Sequence, residues 1–278
     1  MYHGSDGLGT SVAIRTRDKE KHLDSLLESL SLQTVLPSQL IVVNNYSSEL
    51  ARDSLKSHLI KECSRVFRKE PVNVKLVSLS DDEFSHAYST NLGVATSDNE
   101  LVCITNAHSL PTSAKWLENG VKYFADTQVA GVSGYFVPDH RGGISAKLDK
   151  AVYQFTQRSV LHQDWCSTIN CVIRKSLWQV YPFDENLPNI IPETKRYGLE
   201  DYDWSKEMIA RSFKIIVDPA FSVYHSHGNF LNETARNLRS YFVYRRLQKK
   251  INSLNRPRTS YSSVFDVKQK LLTAEMIS

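Results

Sequence analysis

The sequence predicts an α/β fold in which a mostly parallel central sheet is flanked by helices. The first indication is that short apolar runs alternate with segments of helical periodicity, the runs being 12–14, 39–43, 72–77 and 101–104. Units of this kind place consecutive strands in parallel. The second is that polar side chains follow several strands, at the edge where such sheets bind ligands. The third is a 41% hydrophobic content over 278 residues, enough for a substantial core.

Each connection between the first strands has the periodicity of a helix. Residues 19–32 carry apolar side chains at 23, 26, 27 and 30, and charged or polar helices are predicted over 49–68 and 85–96. Beyond these the pattern loosens. It predicts, in order, a strand at 129–137, a helix at 147–160, a strand at 167–173 and a proline-rich loop at 182–192. That loop is long enough to have a function of its own.

The character of the chain changes near Glu233. From there to Arg258 the sequence holds eight basic residues and no further acid, together with an apolar helical stripe. We therefore expect a domain over 1–230 and a basic amphipathic helical extension over 231–278, closed by a second helix at 263–276. The basic helix would bind an anionic membrane surface or an anionic glycan, or would simply pack its apolar stripe on the sheet.

Bulk properties exclude several classes of protein. A formal net charge of +4 is too mild for a nucleic-acid partner. No run approaches the roughly 18 apolar residues that span a bilayer, and the first residues do not resemble a signal peptide. These features predict a cytoplasmic protein, with association at the inner face of the cell membrane through the basic helix. The four cysteines show no metal-type spacing and are expected to be reduced structural thiols.

Two adjacent carboxylates, Glu200 and Asp201, follow Gly198 at the expected first turn of a helix. A carboxylate in this position can accept a proton from a reacting hydroxyl. Alternatively, both acids merely interact with the positive end of the helix, which stabilises it by about 0.3–1 kcal/mol.

Three histidines are candidates for holding a divalent cation. His108 follows the strand 101–104, and His225 and His227 are two residues apart, which places both on one face of a strand. Imidazole ligands favour Mn²⁺ or a softer ion over Mg²⁺. Alternatively, His108 caps a turn, and only one of the other two binds while its neighbour orients it or lies in solvent. We favour His225, because it directly follows the apolar pair Val223–Tyr224.

With these residues in place, the chain resembles family 2 nucleotide-sugar glycosyltransferases with the GT-A fold, of the bacterial polysaccharide type. The resemblance covers residues 10–230. Five segments occur in the order typical of that family: 11–17, 26–34, 41–48, 84–95 with its Asn-Leu-Gly, and the Glu-Asp pair before Trp204. It implies an inverting transferase that moves a sugar from a nucleotide-diphosphate donor to a saccharide or a lipid-linked saccharide.

The resemblance also implies roles for individual residues. Asp201 would be the general base, with Glu200 supporting it or contacting the acceptor. Donor binding is expected from the polar residues after the strands and in the Asn-Leu-Gly segment: Thr16, Arg17, Asp18, Asn44, Asn45, Asn91 and Asn106. Acceptor binding is expected from Asp164, Trp165, Asn170 and Trp204. A metal ion, Mn²⁺ or Mg²⁺, would be held by His108 with His225 or His227.

Two departures from the family pattern keep other functions open. Asn44 and Asn45 stand where the family usually has an aspartate, and Asn106-Ala107-His108 stands where it has Asp-x-Asp. A sugar- or nucleotide-binding module without catalytic activity is therefore an alternative. The Glu200–Asp201 pair argues against it, because such a module needs no base. A nucleotidyltransferase is a weaker alternative. Such enzymes normally carry a glycine-rich loop after the first strand, and the segment after the first strand of this chain contains no glycine.

Overall fold

The centre of the molecule is an eight-stranded, mostly parallel sheet. The computed structural model describes residues 9–137, 165–225, 230–254 and 274–277. Their strands are β1 (Thr10–Arg17), β2 (Gln39–Tyr46), β3 (Asn73–Ser80), β4 (Leu101–Asn106), β5 (Leu110–Pro111), β6 (Val129–Ser133), β7 (Phe136–Val137), β8 (Asn170–Arg174), β9 (Lys214–Val217), β10 (Val223–Tyr224) and β11 (Glu275–Met276). The large sheet has the order β11-β3-β2-β1-β4-β8-β6-β9, and β5, β10 and β7 form a small second sheet.

Helices connect the strands and cover the sheet. They are α1 (Leu23–Ser31), α2 (Glu49–Val66), α3 (His86–Thr96), α4 (Trp116–Val121), α5 (Lys175–Val180), α6 (Leu187–Ile190), α7 (Thr194–Tyr197), α8 (Glu200–Ala210) and α9 (Phe230–Asn252). The first three are the predicted connections between β1, β2, β3 and β4. Because helices cover the sheet, its central strands are buried along nearly their whole length.

The parallel register brings polar residues from separate strands to one edge. Arg17 of β1 lies beside Asn45 of β2, and Arg15 of β1 lies beside Asn106 of β4. This edge is the carboxyl end of the parallel strands, as predicted.

Beyond residue 129 the predicted elements needed correction. The single strand expected at 129–137 is two strands, β6 and β7, which belong to different sheets. Between them lies Gly134, where a Cβ would come within 1.4 Å of the Phe221 carbonyl oxygen, so the backbone passes too close for any side chain. The strand predicted at 167–173 begins only at Asn170, and the predicted loop at 182–192 contains the short helix α6.

The described residues of the C-terminal extension include side chains and a strand that pack on the sheet domain. Leu247 and Ile251 of α9 are buried in the main core. The helix predicted to run through Met276 is wrong at its end, because residues 275–276 form β11, which pairs antiparallel with β3 and covers its open edge. The predicted helix at 147–160 lies outside the described residues. None of the described helices has the length and apolar character that a membrane span requires.

Candidate active site

A cavity of about 740 Å³ opens at the carboxyl ends of β1, β2 and β4. It collects many of the side chains that the sequence singled out, namely Thr16, Arg17, Asn45, Asn106, His108, Trp165, Glu200, Asp201 and His225. The acid pair and the histidines therefore share one cavity although they are far apart in the sequence.

A left-handed turn directs the acid pair into this cavity. Gly198 has φ +72° and Leu199 has φ +82°, and α8 begins directly after them. At Gly198 a Cβ would also lie 3.0 Å from Glu200 Oε2, so glycine is required there. The Leu199 side chain is buried in the main core, which holds this unfavourable backbone conformation in place.

Asp201 is held by three hydrogen bonds. Its Oδ2 accepts from the Thr168 amide at 2.9 Å and the Thr168 hydroxyl at 3.2 Å, and its Oδ1 accepts from the Tyr202 amide at 2.8 Å. Burial nevertheless raises the pKa of Asp201, and these hydrogen bonds oppose that rise only in part. The result is a fixed carboxylate that is more basic than an ordinary aspartate.

Glu200 holds its proton at neutral pH. Burial, and then the charge of Asp201, raises the pKa of Glu200 to about 8, with Arg15 acting in the opposite direction. Two carboxyl groups this close do not both ionise readily, so the pair shares one proton. Since the hydrogen bonds to Asp201 favour its charged form, the proton resides on Glu200. The pair thus offers one charged proton acceptor and one neutral hydrogen-bond donor.

Arg15, to which the sequence analysis gave no role, connects the two sides of the cavity. Its buried guanidinium donates through Nη1 to Thr90 Oγ1 at 2.9 Å, and through Nη2 to Asn106 Oδ1 and the Thr168 carbonyl, both at 3.0 Å. Burial lowers the pKa of Arg15, and the neighbouring carboxyl groups of Glu200 and Asp201 oppose this. The only sequence signal was a basic residue inside an otherwise apolar strand.

The two described histidines of the predicted metal site lie together. The rings of His108 and His225 are 4.8 Å apart between centroids and tilted by 32°. His108 Nδ1 lies 2.6 Å from Glu20 Oε2, and His225 Nδ1 lies 2.9 Å from Ser109 Oγ. Burial would raise the pKa of Glu20, but the hydrogen bond and charge of His108 outweigh it and lower the pKa. Glu20 was missed by the sequence analysis because it follows β1 in a polar turn.

The two described imidazoles could contribute to a divalent cation site. If His108 Nδ1 donates to the Glu20 carboxylate, Nε2 carries the lone pair, and a carboxylate that binds the other ring nitrogen is common for metal-binding histidines. Two imidazoles suit Mn²⁺ better than Mg²⁺. Among the described residues no cluster of three or more His, Cys, Asp and Glu side chains could hold a metal. The third predicted ligand, His227, lies outside the described part of the chain.

Three predicted binding residues are buried in the interior instead. Asn91 donates to the Phe183 carbonyl at 2.9 Å, and Asn170 donates to the Phe221 carbonyl at 2.6 Å. Trp204 is fully buried and packs against Phe183. None of the three lines the cavity. The prediction that they contact donor or acceptor is therefore corrected: they hold neighbouring elements together.

Of the two asparagines at the end of β2, Asn45 lines the cavity and Asn44 does not. Asn44 is fully buried and accepts a hydrogen bond from the Asp18 amide at 3.0 Å, while Asp18 Oδ1 accepts from the Ser47 amide at 2.9 Å. Asn44 and Asp18 thus join the strand ends and do not line the cavity, contrary to their predicted role in binding. Asn45 does line it. Asp164 lies outside the described residues.

Solved structures with the same fold include a mannosyltransferase and a glucosyl-3-phosphoglycerate synthase. The mannosyltransferase PcManGT from Pyrobaculum calidifontis, in complex with GDP-Man and Mn²⁺, is 15% identical with a TM-score of 0.55, covering 95% of this chain and 70% of that one. Glucosyl-3-phosphoglycerate synthase from Mycobacterium tuberculosis, in complex with Mn²⁺, UDP and phosphoglyceric acid, is 14% identical with a TM-score of 0.52, covering 87% and 78%. S. aureus TarS is 14% identical with a TM-score of 0.54, covering 90% of this chain but only 41% of that one.

The sequence comparison agrees with the fold. No curated protein matches the chain significantly. The family model described as glycosyl transferase family 2 matches residues 11–173, which is more than half of the chain. This segment contains the parallel strands β1 to β4 and the metal-site candidate His108. On this match, and with the GT-A architecture seen in the structure, the chain belongs to glycosyl transferase family 2.

Proposed function

We propose that the protein is an inverting glycosyltransferase that moves a sugar from a nucleotide-diphosphate donor to a hydroxyl of a saccharide or lipid-linked saccharide. The observation that carries this proposal is the buried acid pair of Glu200 and Asp201, which lines the cavity that also contains His108. A protein that only binds sugars has no need of a buried carboxylate with raised basicity.

The donor would bind where the parallel strands end. Thr16, Arg17 and Asn45 line this part of the cavity, and nucleotides bind at the carboxyl ends of strands in open α/β sheets. Within the described residues the buried Asn45 Nδ2 has no hydrogen-bond partner, so it would donate to the base or ribose. His108 and His225 would hold a divalent cation, whose charge would neutralise the leaving diphosphate.

The transfer would take place in one displacement. The acceptor oxygen attacks the anomeric carbon and forms the new glycosidic bond, while the bond to the diphosphate breaks and its electron pair stays on the departing oxygen. Asp201 accepts the proton that the acceptor hydroxyl loses, and neutral Glu200 donates a hydrogen bond to the acceptor. A single displacement inverts the configuration at the anomeric carbon.

A panel of UDP-, dTDP-, GDP- and CMP-sugars with Mn²⁺ tests the proposal. We expect one nucleotide class to raise the melting temperature and to be hydrolysed slowly or transferred. If no nucleotide sugar stabilises the protein, the proposal fails. Stabilisation without any turnover would instead favour the binding module that the asparagines of β2 suggested.

The exposed face of α9 supports an anionic membrane surface as a further partner, at the inner face of the cell membrane. Phe242 is 69% exposed, and Arg239, Arg245 and Lys249 are exposed on the same helix. An apolar side chain among cations is typical of helices that lie on anionic lipid. Flotation with phosphatidylglycerol vesicles should show binding that falls with salt and with Arg245→Ser/Lys249→Ser, whereas phosphatidylcholine vesicles serve as the control. Binding that is insensitive to both changes would contradict this part of the proposal.

A further inference from the structure

Four aromatic side chains form one side of the cavity. Trp165, Tyr197, Tyr241 and Tyr244, here called the aromatic wall, all line it. Tyr244 is at the centre, because its ring meets Trp165 at 5.8 Å and Tyr197 at 6.1 Å between centroids, both edge to face. Tyr241 and Tyr244 are three residues apart on α9 and therefore point to the same side of the helix.

Two residues of the aromatic wall are close in sequence to the residues that position the acid pair. Trp165 lies three residues before Thr168, whose amide and hydroxyl bind Asp201. Tyr197 directly precedes the left-handed turn that leads into Glu200. The donor candidates that line the cavity, by contrast, belong to β1, β2 and β4. The wall is therefore built from a different set of elements than the nucleotide end of the cavity.

The chemistry of the wall suits a sugar ring. A pyranose presents an apolar face of C–H groups and a rim of hydroxyls, and tyrosine offers an apolar ring with a hydroxyl at its edge. Ser240 and Arg196, which also line the cavity, add polar groups beside the rings. A site for a lipid chain would be expected to be aliphatic, and these four side chains are not.

We propose that the aromatic wall is the acceptor subsite and that it takes one pyranose ring of the acceptor by stacking. This proposal rests on the proposed function, since it assigns the second substrate of the same cavity. It also makes α9 part of the active site. A chain that ended before this helix would lose the acceptor and keep the donor residues of β1 and β2.

Saturation-transfer NMR without any nucleotide tests this subsite. The probes are the methyl β-glycosides of glucose, galactose and N-acetylglucosamine, with octanol as a lipid-chain probe. We expect saturation on the ring protons of at least one glycoside, and about a 10-fold weaker affinity in Tyr241→Ala and in Tyr244→Ala, as is usual when an aromatic contact at the centre of a binding surface is removed. Lys249→Ala is the control, because this side chain is exposed on the same helix and does not line the cavity.

Several results would overturn the proposal. They are the absence of saturation on every glycoside, saturation of octanol alone, unchanged affinity in Tyr241→Ala, and an equal loss in Lys249→Ala. Tyr241→Ala is informative even if Tyr244→Ala disturbs the fold through its contacts with Trp165 and Tyr197. Because no nucleotide is present, a failure here is distinguishable from a failure of the donor panel.

Discussion

Replacing Glu200 by glutamine should make the protein more stable, increasingly so as the pH rises. The pKa of Glu200 is about 8 in the folded protein and about 4.5 when the group is free. Between these values the folded state keeps a proton that the unfolded state has lost, so the free energy of unfolding falls as the pH rises. The slope approaches about 1.4 kcal/mol per pH unit, which gives a loss of about 3–4 kcal/mol between pH 5 and pH 8. Glutamine has nearly the same shape and no proton to lose.

Urea unfolding followed by tryptophan fluorescence at pH 5, 6, 7 and 8 measures this effect. We expect the curves of wild type and Glu200→Gln to diverge by about 3–4 kcal/mol over that interval, with the variant more stable at pH 8.

Glu70→Gln is the matched control. Glu70 is exposed on the turn after α2, so its substitution should leave the pH dependence of unfolding parallel to that of wild type. If Glu200→Gln also runs parallel to wild type from pH 5 to pH 8, Glu200 does not hold a proton in the folded state and the description of the acid pair is wrong.

Three further predictions follow from the same cavity. A chelator should inactivate the wild-type enzyme and Mn²⁺ should restore its activity, whereas in His108→Ala Mn²⁺ should restore nothing. Full activity of the wild type in excess chelator would remove the metal from the mechanism. Arg15→Met removes a cation that opposes the raised pKa of Glu200, so the pH–rate profile should move to higher pH, and an unmoved profile would contradict this role. Gly198→Ala should lower the free energy of unfolding by at least about 1–2 kcal/mol, because its φ of +72° disfavours a side chain, and an unchanged melting temperature would refute that.

The first half of the fold could be predicted because its signals are local. Apolar strands and amphipathic helices alternate up to β4, and each can be recognised from the pattern of about ten consecutive residues. The second half could not, because its elements depend on contacts between distant segments. Gly134 ends β6 where the backbone passes Phe221, and residues 275–276 become a strand only because the edge of β3 is available.

The residues of the cavity, too, could be predicted only in part. Residues directly after strands, such as Asn45 and His108, line the cavity because the sheet topology fixes where strands end, and their roles there stay predictions. Which polar side chains face the interior depends on partners that no local pattern reveals. Arg15 finds its carbonyl partner Thr168 at a distance of 153 residues in the sequence, and Asn91 finds Phe183 at a distance of 92.

The most direct test of the account is the turnover of Asp201→Asn with the donor that the nucleotide panel identifies, measured beside stabilisation by that donor. If Asp201 is the proton acceptor, turnover should fall by roughly 10²–10⁴-fold, or about 3–5.5 kcal/mol of barrier, while the donor still raises the melting temperature as it does in wild type. Turnover close to that of wild type would contradict the assignment of the base.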